Sequence, residues 1–234
     1  FLDNEGNMLL SIHSFLIESK GKRIIVDTCV GNDKTVPFPQ WTELKTQFLS
    51  HLADAGFPRE KVDHVLCTHL HFDHVGWNTF LKDGKWIPTF PNARYLVGAT
   101  EWDFWGGKED PYGASTNEQA IQPLLDADLV DLVETNHKIT EEVRLVHTPG
   151  HVSVEIESKG ERAVITGDLF HHPLGFAHPS WEDTADIDGD IAHQTRVKFM
   201  KQYGDGPALI LGTHFASPTS GKIVSDGDSY RFEV

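Results

Sequence analysis

One short segment of the sequence carries four side chains of the types that bind metal ions. Thr68 to Trp77 reads T-H-L-H-F-D-H-V-G-W, which places His69, His71, Asp73 and His74 within six positions. Imidazole nitrogens and carboxylate oxygens are the usual protein ligands of zinc and related divalent ions. In an extended loop, residues two positions apart point the same way, so His69 and His71 could bind one ion. Asp73 and His74 would then turn toward a second ion, and one loop could serve two metals.

Three more candidate ligands each follow a short apolar segment that has the pattern of a strand. His151 comes after V-R-L-V-H-T-P-G, Asp168 after A-V-I-T-G and His214 after A-L-I-L-G-T. Ligands and catalytic groups commonly collect at the ends of strands and on the loops that leave them. Asp27 ends the apolar segment Arg23 to Val26 in the same way, and we expect it to orient a ligating imidazole through its other ring nitrogen. A lone histidine is more often a core or surface residue, so the inference depends on this recurrence.

Short apolar runs supply the strands that would position these residues. Each run is rich in β-branched residues and is bounded by turn or polar residues, which is the pattern of a buried strand. The predicted strands are Ser11 to Ile17, Arg23 to Val26, Val62 to Cys67, Ala93 to Val97, Val143 to Val146, Val152 to Ile156, Ala163 to Thr166, and Ala208 to Leu211.

Helical periodicity lies between the predicted strands. Its candidates are the stripe of Trp41, Leu44, Phe48, Leu49 and Leu52, and the segments Gln119 to Val133 and Ile191 to Tyr203. Gly106 to Asn117 and His171 to Asp190 are predicted to be irregular and could cover a site. Because strands and helices alternate along the chain, we expect an α/β fold in one domain that spans residues 1–234.

The composition and charge of the chain limit its partners. Of its 234 residues, 39% are hydrophobic and 24% are charged, which is ordinary for a globular domain. The 20 Lys and Arg residues against 35 Asp and Glu residues give a net charge of −15, which repels nucleic acid and anionic membrane surfaces. No apolar run approaches the roughly 20 residues that span a bilayer. We therefore expect a soluble protein with no nucleic-acid or membrane partner.

The cysteines and the first residues indicate the compartment. Cys29 and Cys67 each lie in or beside an apolar run, so we expect free buried thiols. Phe1 is not followed by the basic region and apolar stretch that mark a secretion signal. We expect a cytoplasmic protein, and a homodimer is left open.

The motif H-x-H-x-D-H, followed by a separated His, Asp and His, resembles the metallo-β-lactamase superfamily. The resemblance runs from Ser11 to Phe232 and implies a four-layer αββα sandwich, with metals at one edge of its two sheets. It also implies one ion held by His69, His71 and His151, a second held by Asp73, His74 and His214, and Asp168 as a bridge between them. Because the full set is present, a two-metal site is favoured over the single-iron sites of the persulfide dioxygenase branch.

This ligand set predicts a hydrolase. Two divalent ions that share a water lower its pKa from ~15.7 toward about 7, and the bridging hydroxide attacks a carbonyl or phosphoryl centre. Asp73 could orient the hydroxide or pass a proton to the departing alkoxide. Zinc is the expected metal by ligand type, and manganese, iron, cobalt and nickel remain open.

The residues beside the ligands suggest the substrate. Acyl-homoserine lactonases of the superfamily carry a tyrosine three residues after the bridging aspartate, whereas this chain has His171 there, which resembles the methyl parathion hydrolase branch. His171 could bind the oxyanion or ligate a metal, and Phe72, Trp77 and Phe170 could line an apolar pocket. We expect cleavage of lactones or related carboxylic esters. The alternatives are organophosphate triester hydrolysis and a non-catalytic metal-binding protein.

Overall fold

The chain folds into two compact units. A computed structural model describes residues 1–105, 116–149, 151–184, 186 and 188–234, without the side chain of His151. The amino-terminal unit is His13–Glu134, and the carboxy-terminal unit is Thr135–Val234 together with Phe1–Ile12. The single domain over residues 1–234 stays a prediction.

A five-stranded sheet forms the centre of the amino-terminal unit, in the order β1-β2-β3-β6-β7. The strands of this unit are β1 (Phe15–Ser19), β2 (Lys22–Val26), β3 (His64–Cys67), β4 (Thr79–Lys82), β5 (Lys85–Pro88), β6 (Arg94–Gly98) and β7 (Val130–Val133). β1 pairs with β2 antiparallel, whereas β2, β3, β6 and β7 run parallel. The carboxyl ends of β2, β3 and β6 therefore meet at one edge of the sheet.

The described residues of this unit include four short α-helices. They are α1 (Phe48–Asp54), α2 (Phe72–Val75), α3 (Ala99–Trp105) and α4 (Gln122–Asp126). Fully buried residues such as Ile25, Val65 and Tyr95 form the core of the unit. The hydroxyl of Tyr95 donates to the carbonyl of Asn78 at 3.0 Å, so the segment after α2 is fastened to β6.

β7 forms an edge of this sheet and carries charge. Arg94 of β6 donates to the carboxylate of Asp131 on β7 at 2.9 Å, and both side chains are partly exposed. Leu132, the next residue of β7, is 50% exposed. The edge strand therefore presents an ion pair beside an apolar side chain.

A six-stranded sheet forms the centre of the carboxy-terminal unit, in the order β13-β12-β11-β10-β9-β8. Its strands are β8 (Val143–Thr148), β9 (His151–Ser158), β10 (Glu161–Ile165), β11 (Leu209–Leu211), β12 (Ser220–Asp226) and β13 (Ser229–Glu233), and its helices are α5 (Leu174–Ala177) and α6 (Gly189–Tyr203). β10 and β11 are parallel, so the residues that follow them lie at the same edge. The other pairs are antiparallel.

The predicted strands are all present, but two hairpins were not predicted. All eight predicted strands match observed ones with shifted ends. The hairpins β4–β5 and β12–β13 were not predicted because the search followed apolar runs rather than turn residues. Asp83 and Gly84 join β4 to β5 with φ values of 51° and 75°, which is the pair that a two-residue hairpin turn favours. This D-G signal is visible in the sequence.

The predicted helix Gln119 to Val133 is wrong over its second half. α4 ends at Asp126, and Val130–Val133 is strand β7. Asp128 has a φ of 54°, which a continuing helix does not allow. The stripe that begins at Trp41 likewise forms an α-helix only from Phe48, while the candidate Ile191 to Tyr203 is confirmed within α6.

Three further expectations are tested by the described residues. Cys29 and Cys67 are both free thiols, as predicted. Cys67 is buried, whereas Cys29 is only partly buried, so the predicted burial of Cys29 is wrong. The first predicted irregular stretch, Gly106 to Asn117, lies outside the described residues up to position 115. The second, His171 to Asp190, contains the helix α5. Within the described ranges, no helix combines the length and apolar character needed to cross a bilayer.

Lys34 has a buried amine in the loop after β2. Its amine nitrogen donates to Oγ1 of Thr79 at 2.5 Å and to the carbonyl of Gln119 at 2.8 Å, and it lies 3.6 Å from the ring centroid of Trp86. The residue is 3% exposed. Burial lowers the pKa of Lys34 to about 6, against the opposing effect of the charge on Asp33.

We expect Lys34→Met to change how stability depends on pH. Because the pKa of Lys34 falls from 10.5 to about 6 on folding, the unfolded chain binds the extra proton between these values. The free energy of unfolding of the wild type should therefore rise with pH in this window, by up to about 1.4 kcal/mol per pH unit. The variant should lack this contribution.

Urea unfolding at about pH 7 and about pH 9 measures the effect. The exposed Lys82→Met is the matched control and should follow the wild type. Equal pH dependence in Lys34→Met and the wild type would contradict the shifted pKa.

Candidate metal centre

Three histidine side chains form a buried cluster at the carboxyl end of β3. The ring centroids of His69 and His74 lie 4.0 Å apart, and those of His69 and His71 lie 4.4 Å apart. His69 and His74 are each 1% exposed, and His71 is 9% exposed. An oxygen of Asp73 lies 3.7 Å from Nε2 of His74. Clustered imidazoles with a carboxylate beside them are a donor set that fits a divalent cation.

The carboxylate of Asp27 holds this cluster from behind. One oxygen accepts the backbone N–H of Thr68 at 2.8 Å, and the other accepts the Thr68 hydroxyl at 2.8 Å and lies 2.9 Å from Nδ1 of His74. This contact fixes the ring of His74, so its Nε2 is the nitrogen left to face a ligand. The predicted contact between Asp27 and an imidazole of the motif is therefore confirmed.

The backbone that follows β2 packs directly against the backbone of the motif, and the contact leaves no room for a side chain at Gly76. The N–H of Thr28 donates to the carbonyl of His74 at 2.6 Å, and the N–H of Gly76 donates to the carbonyl of Cys29 at 2.7 Å. A Cβ on Gly76 would lie 1.8 Å from the carbonyl oxygen of Val30. The sequence H-V-G-W needs glycine at this position because two backbones meet there.

Glu101 is a further buried acid at the same edge of the sheet. It lies on α3, directly after β6, and its carboxylate accepts the N–H of Leu70 at 2.9 Å. Trp105 of the same helix places its ring edge-on to His71, with centroids 5.4 Å apart. Glu101 thus positions the backbone between His69 and His71. Its place shortly after a strand is a sequence signal that would identify it as a candidate.

A second group of donors forms in the carboxy-terminal unit. Asp168 lies in the turn after β10 and His214 follows β11, so the parallel pair brings them together. Donor atoms of Asp168, His171 and His214 all lie within 4.8 Å of one another. Nε2 of His214 lies 3.3 Å from Asp168, and its Nδ1 lies 3.0 Å from the carbonyl of Ser11. Two imidazoles with a 2% exposed carboxylate also fit a divalent cation.

His171 lies between two carboxylates. Its Nε2 is 3.0 Å from Asp168, its Nδ1 is 3.2 Å from Asp183, and its ring stacks on that of His214 at 5.2 Å. Burial lowers the pKa of His171, but the charge of Asp168 and the contacts with both carboxylates outweigh burial and raise the pKa to about 10.

The structure describes the two donor groups separately, one in each unit. His151 is the first residue of β9, and its side chain lies outside the described part of the structure. The predicted sharing of two ions among seven ligands therefore stays a prediction.

The predicted pocket residues differ in their packing. Phe72 belongs to an aromatic group with Phe38 and Trp41, at centroid distances of 5.8 and 6.0 Å, and Phe38 is 37% exposed. Trp77 is 5% exposed and stacks on Phe48, while Phe170 is 1% exposed and lies in the core of its unit. The burial of Trp77 and Phe170 favours a core role over the predicted contact with substrate.

Comparisons with known proteins cover most of the chain. The family described as the metallo-beta-lactamase superfamily matches residues 8–214. An N-acyl homoserine lactonase of Bacillus cereus is 25% identical over 160 residues, which are 62% of this chain and 57% of that protein. The chain thus spans little more than half the length of this curated relative.

Two solved structures are similar to nearly the whole chain. Hydrolase AbOPH of the beta lactamase superfamily is 29% identical with a TM-score of 0.81, over 99% of this chain and 81% of that one. AidC, a dizinc quorum-quenching lactonase in complex with a product, is 26% identical with a TM-score of 0.77, over 95% and 79%. These similarities confirm the predicted α/β fold class.

We expect Gly76→Ala to destabilise the chain and disturb the histidine cluster. The added Cβ must displace the backbone of Val30, and such overpacking typically costs about 1–3 kcal/mol. A thermal melt should show a decrease of about 5 °C in Tm. Gly206→Ala is the comparison variant and should destabilise the chain less, because its Cβ would lie 3.1 Å from the carbonyl oxygen of Tyr203, a tight contact but not an overlap. Equal melting of Gly76→Ala and the wild type would show that the two backbones are not locked together.

Proposed function

The chain belongs to the metallo-β-lactamase superfamily, and from this membership we propose that it is a dinuclear metal-dependent hydrolase of lactones or related carboxylic esters. The observation that carries the proposal is the buried cluster of His69, His71 and His74, with Asp27 bound to the rear nitrogen of His74. Three clustered, buried imidazoles, one of them fixed by a carboxylate at its other nitrogen, are arranged to donate electron pairs to a cation.

The proposed ligand set joins the two donor groups. His69, His71 and His151 would hold one ion, Asp73, His74 and His214 would hold a second, and Asp168 would bind both. Two divalent ions supply an activated water and polarise the substrate oxygen, and zinc suits these ligands best. The dizinc relative AidC supports zinc, while manganese, iron, cobalt and nickel remain testable.

The chain's own residues would orient the reacting groups. The carboxylate of Asp73, 15% exposed beside His74, is placed to orient the attacking water or to pass a proton to the departing alkoxide. Asp27 and Glu101 keep the backbone and rings of the motif fixed, so that no reorganisation is needed during the reaction. The aromatic side chains of Phe38 and Trp41, which pack on the buried Phe72, offer an apolar surface for an acyl or aryl part of the substrate.

Lactones are favoured as substrates by the lactonase relatives. His171 supports organophosphate triesters as a second candidate, because the acyl-homoserine lactonases have a tyrosine at this position. The described geometry places Nε2 of His171 beside Asp168, where it could hydrogen-bond to an oxygen of either substrate.

We expect His69→Ala and Asp168→Ala to lose metal and activity together. Each variant removes a ligand, so its metal content should fall and its turnover should drop to background, while far-UV circular dichroism stays nearly unchanged. His51→Ala, an exposed histidine of α1, is the control. Elemental analysis comes first, followed by assays of chelated and metal-restored protein on lactones, aryl esters, triesters, thioesters and β-lactams.

Two results would contradict the proposal. Full activity in either ligand variant would exclude the assigned role. Hydrolysis that survives chelation in the wild type would exclude metal-dependent chemistry.

We expect His171→Tyr to shift selectivity toward homoserine lactones. A tyrosine would present a hydroxyl where the lactonases have one, and we expect the ratio of kcat/KM for lactone over triester to rise by about tenfold. Steady-state kinetics on matched lactone and triester substrates measure this ratio. An unchanged ratio would remove His171 as a determinant of substrate choice.

A further inference from the structure

His171 is held by a pair of acids that come from different parts of the carboxy-terminal unit. Asp168 follows β10, whereas Asp183 lies in the loop between α5 and α6. The two carboxylates contact opposite ring nitrogens of His171, at 3.0 Å and 3.2 Å. With Asp183 engaged at Nδ1, the ring directs Nε2 at Asp168.

Asp183 is in turn fixed by a buried ion pair. Its backbone N–H donates to a carboxylate oxygen of Asp186 at 2.9 Å, and the N–H of Asp186 donates back to its carbonyl at 3.0 Å. Arg196 of α6 donates to both oxygens of Asp186, at 2.7 and 2.9 Å. The side chains of Arg196 and Asp186 are 6% and 5% exposed.

The same arginine also holds the residue next to Asp168. Its Nε donates to the carbonyl of Leu169 at 2.9 Å, and another nitrogen donates to the carbonyl of Trp181 at 3.0 Å. One guanidinium therefore sets the spacing between the turn that carries Asp168 and the loop that carries Asp183. A buried ion pair adds little net stability, but its fixed geometry suits a role in positioning.

We propose that Asp183 is a positioning residue that acts through His171. It contacts Nδ1 of the ring and so keeps Nε2 directed at Asp168, and the Arg196–Asp186 pair keeps Asp183 in place. Where it concerns catalysis, the inference rests on the proposed function. Where it concerns the ring of His171, it does not.

The first test observes the ring directly. Nitrogen NMR of the histidine rings is recorded for the zinc-loaded wild type and for Asp183→Asn, and the His171 signals are assigned by their loss in His171→Ala. The wild type should show a slowly exchanging proton at Nδ1 of His171. In Asp183→Asn, this signal should shift strongly or be lost, while Glu182→Gln, an exposed neighbour on the same loop, leaves it unchanged.

The second test separates an action through His171 from a general structural role. Asp183→Asn should lower kcat by about tenfold, with unchanged metal content and melting temperature. In the His171→Ala background, the same substitution should have no further effect, because the ring that it positions is gone. Asp183→Ser is interpreted in the same way if Asp183→Asn does not fold.

The outcomes distinguish this inference from the proposed function. An unchanged His171 ring signal in Asp183→Asn would overturn the inference even if the protein is an active lactonase. An equal loss of kcat in both backgrounds would also overturn it. If the wild type hydrolyses none of the substrates, the proposed function fails, and the ring signal alone decides whether Asp183 positions His171.

Discussion

The carboxylate of Asp27 is the interaction on which the rest of the candidate site depends. It joins the end of β2 to Thr68 and to the ring of His74, residues more than forty positions away in the chain. Asp27 itself adopts a φ of 57°, an unfavourable conformation for a residue with a side chain. Such strain persists where the surroundings hold the residue in place. Here the N–H of Asp27 donates to the carbonyl of Leu66 on β3 at 2.9 Å, and the N–H of Thr28 donates to the carbonyl of His74 on α2 at 2.6 Å.

Both units use the same arrangement to present imidazoles. Side chains with ligating atoms lie directly after parallel strands, where the carboxyl ends of neighbouring strands bring distant residues together. Acids behind them then fix the backbone or the rings: Asp27 and Glu101 in one unit, and Asp183 in the other. Some of the acidic side chains of the chain thus orient imidazoles or nearby backbone instead of covering the surface.

The sequence predicted the strands and the candidate ligands better than the groups that support them. Apolar runs identified the strands because burial on both faces leaves an unbroken hydrophobic pattern. The hairpin of β12 and β13 was missed because polar residues alternate with apolar ones there, and the helix predicted through Val133 failed because a left-handed residue stops it. Arg196 and Asp186 could not be found, since a pair that meets through folding leaves no periodic trace in the sequence.

The ion pair at the edge of the five-stranded sheet affects how the protein behaves in concentrated solution. Arg94 and Asp131 place charges beside the exposed backbone of β7, next to the half-exposed Leu132. A bare, apolar edge of this kind would be a template on which another polypeptide could add a strand and begin to aggregate. Redesign of this region for greater rigidity should therefore retain its charges, because these charged side chains interrupt the apolar edge on which a further strand could pair.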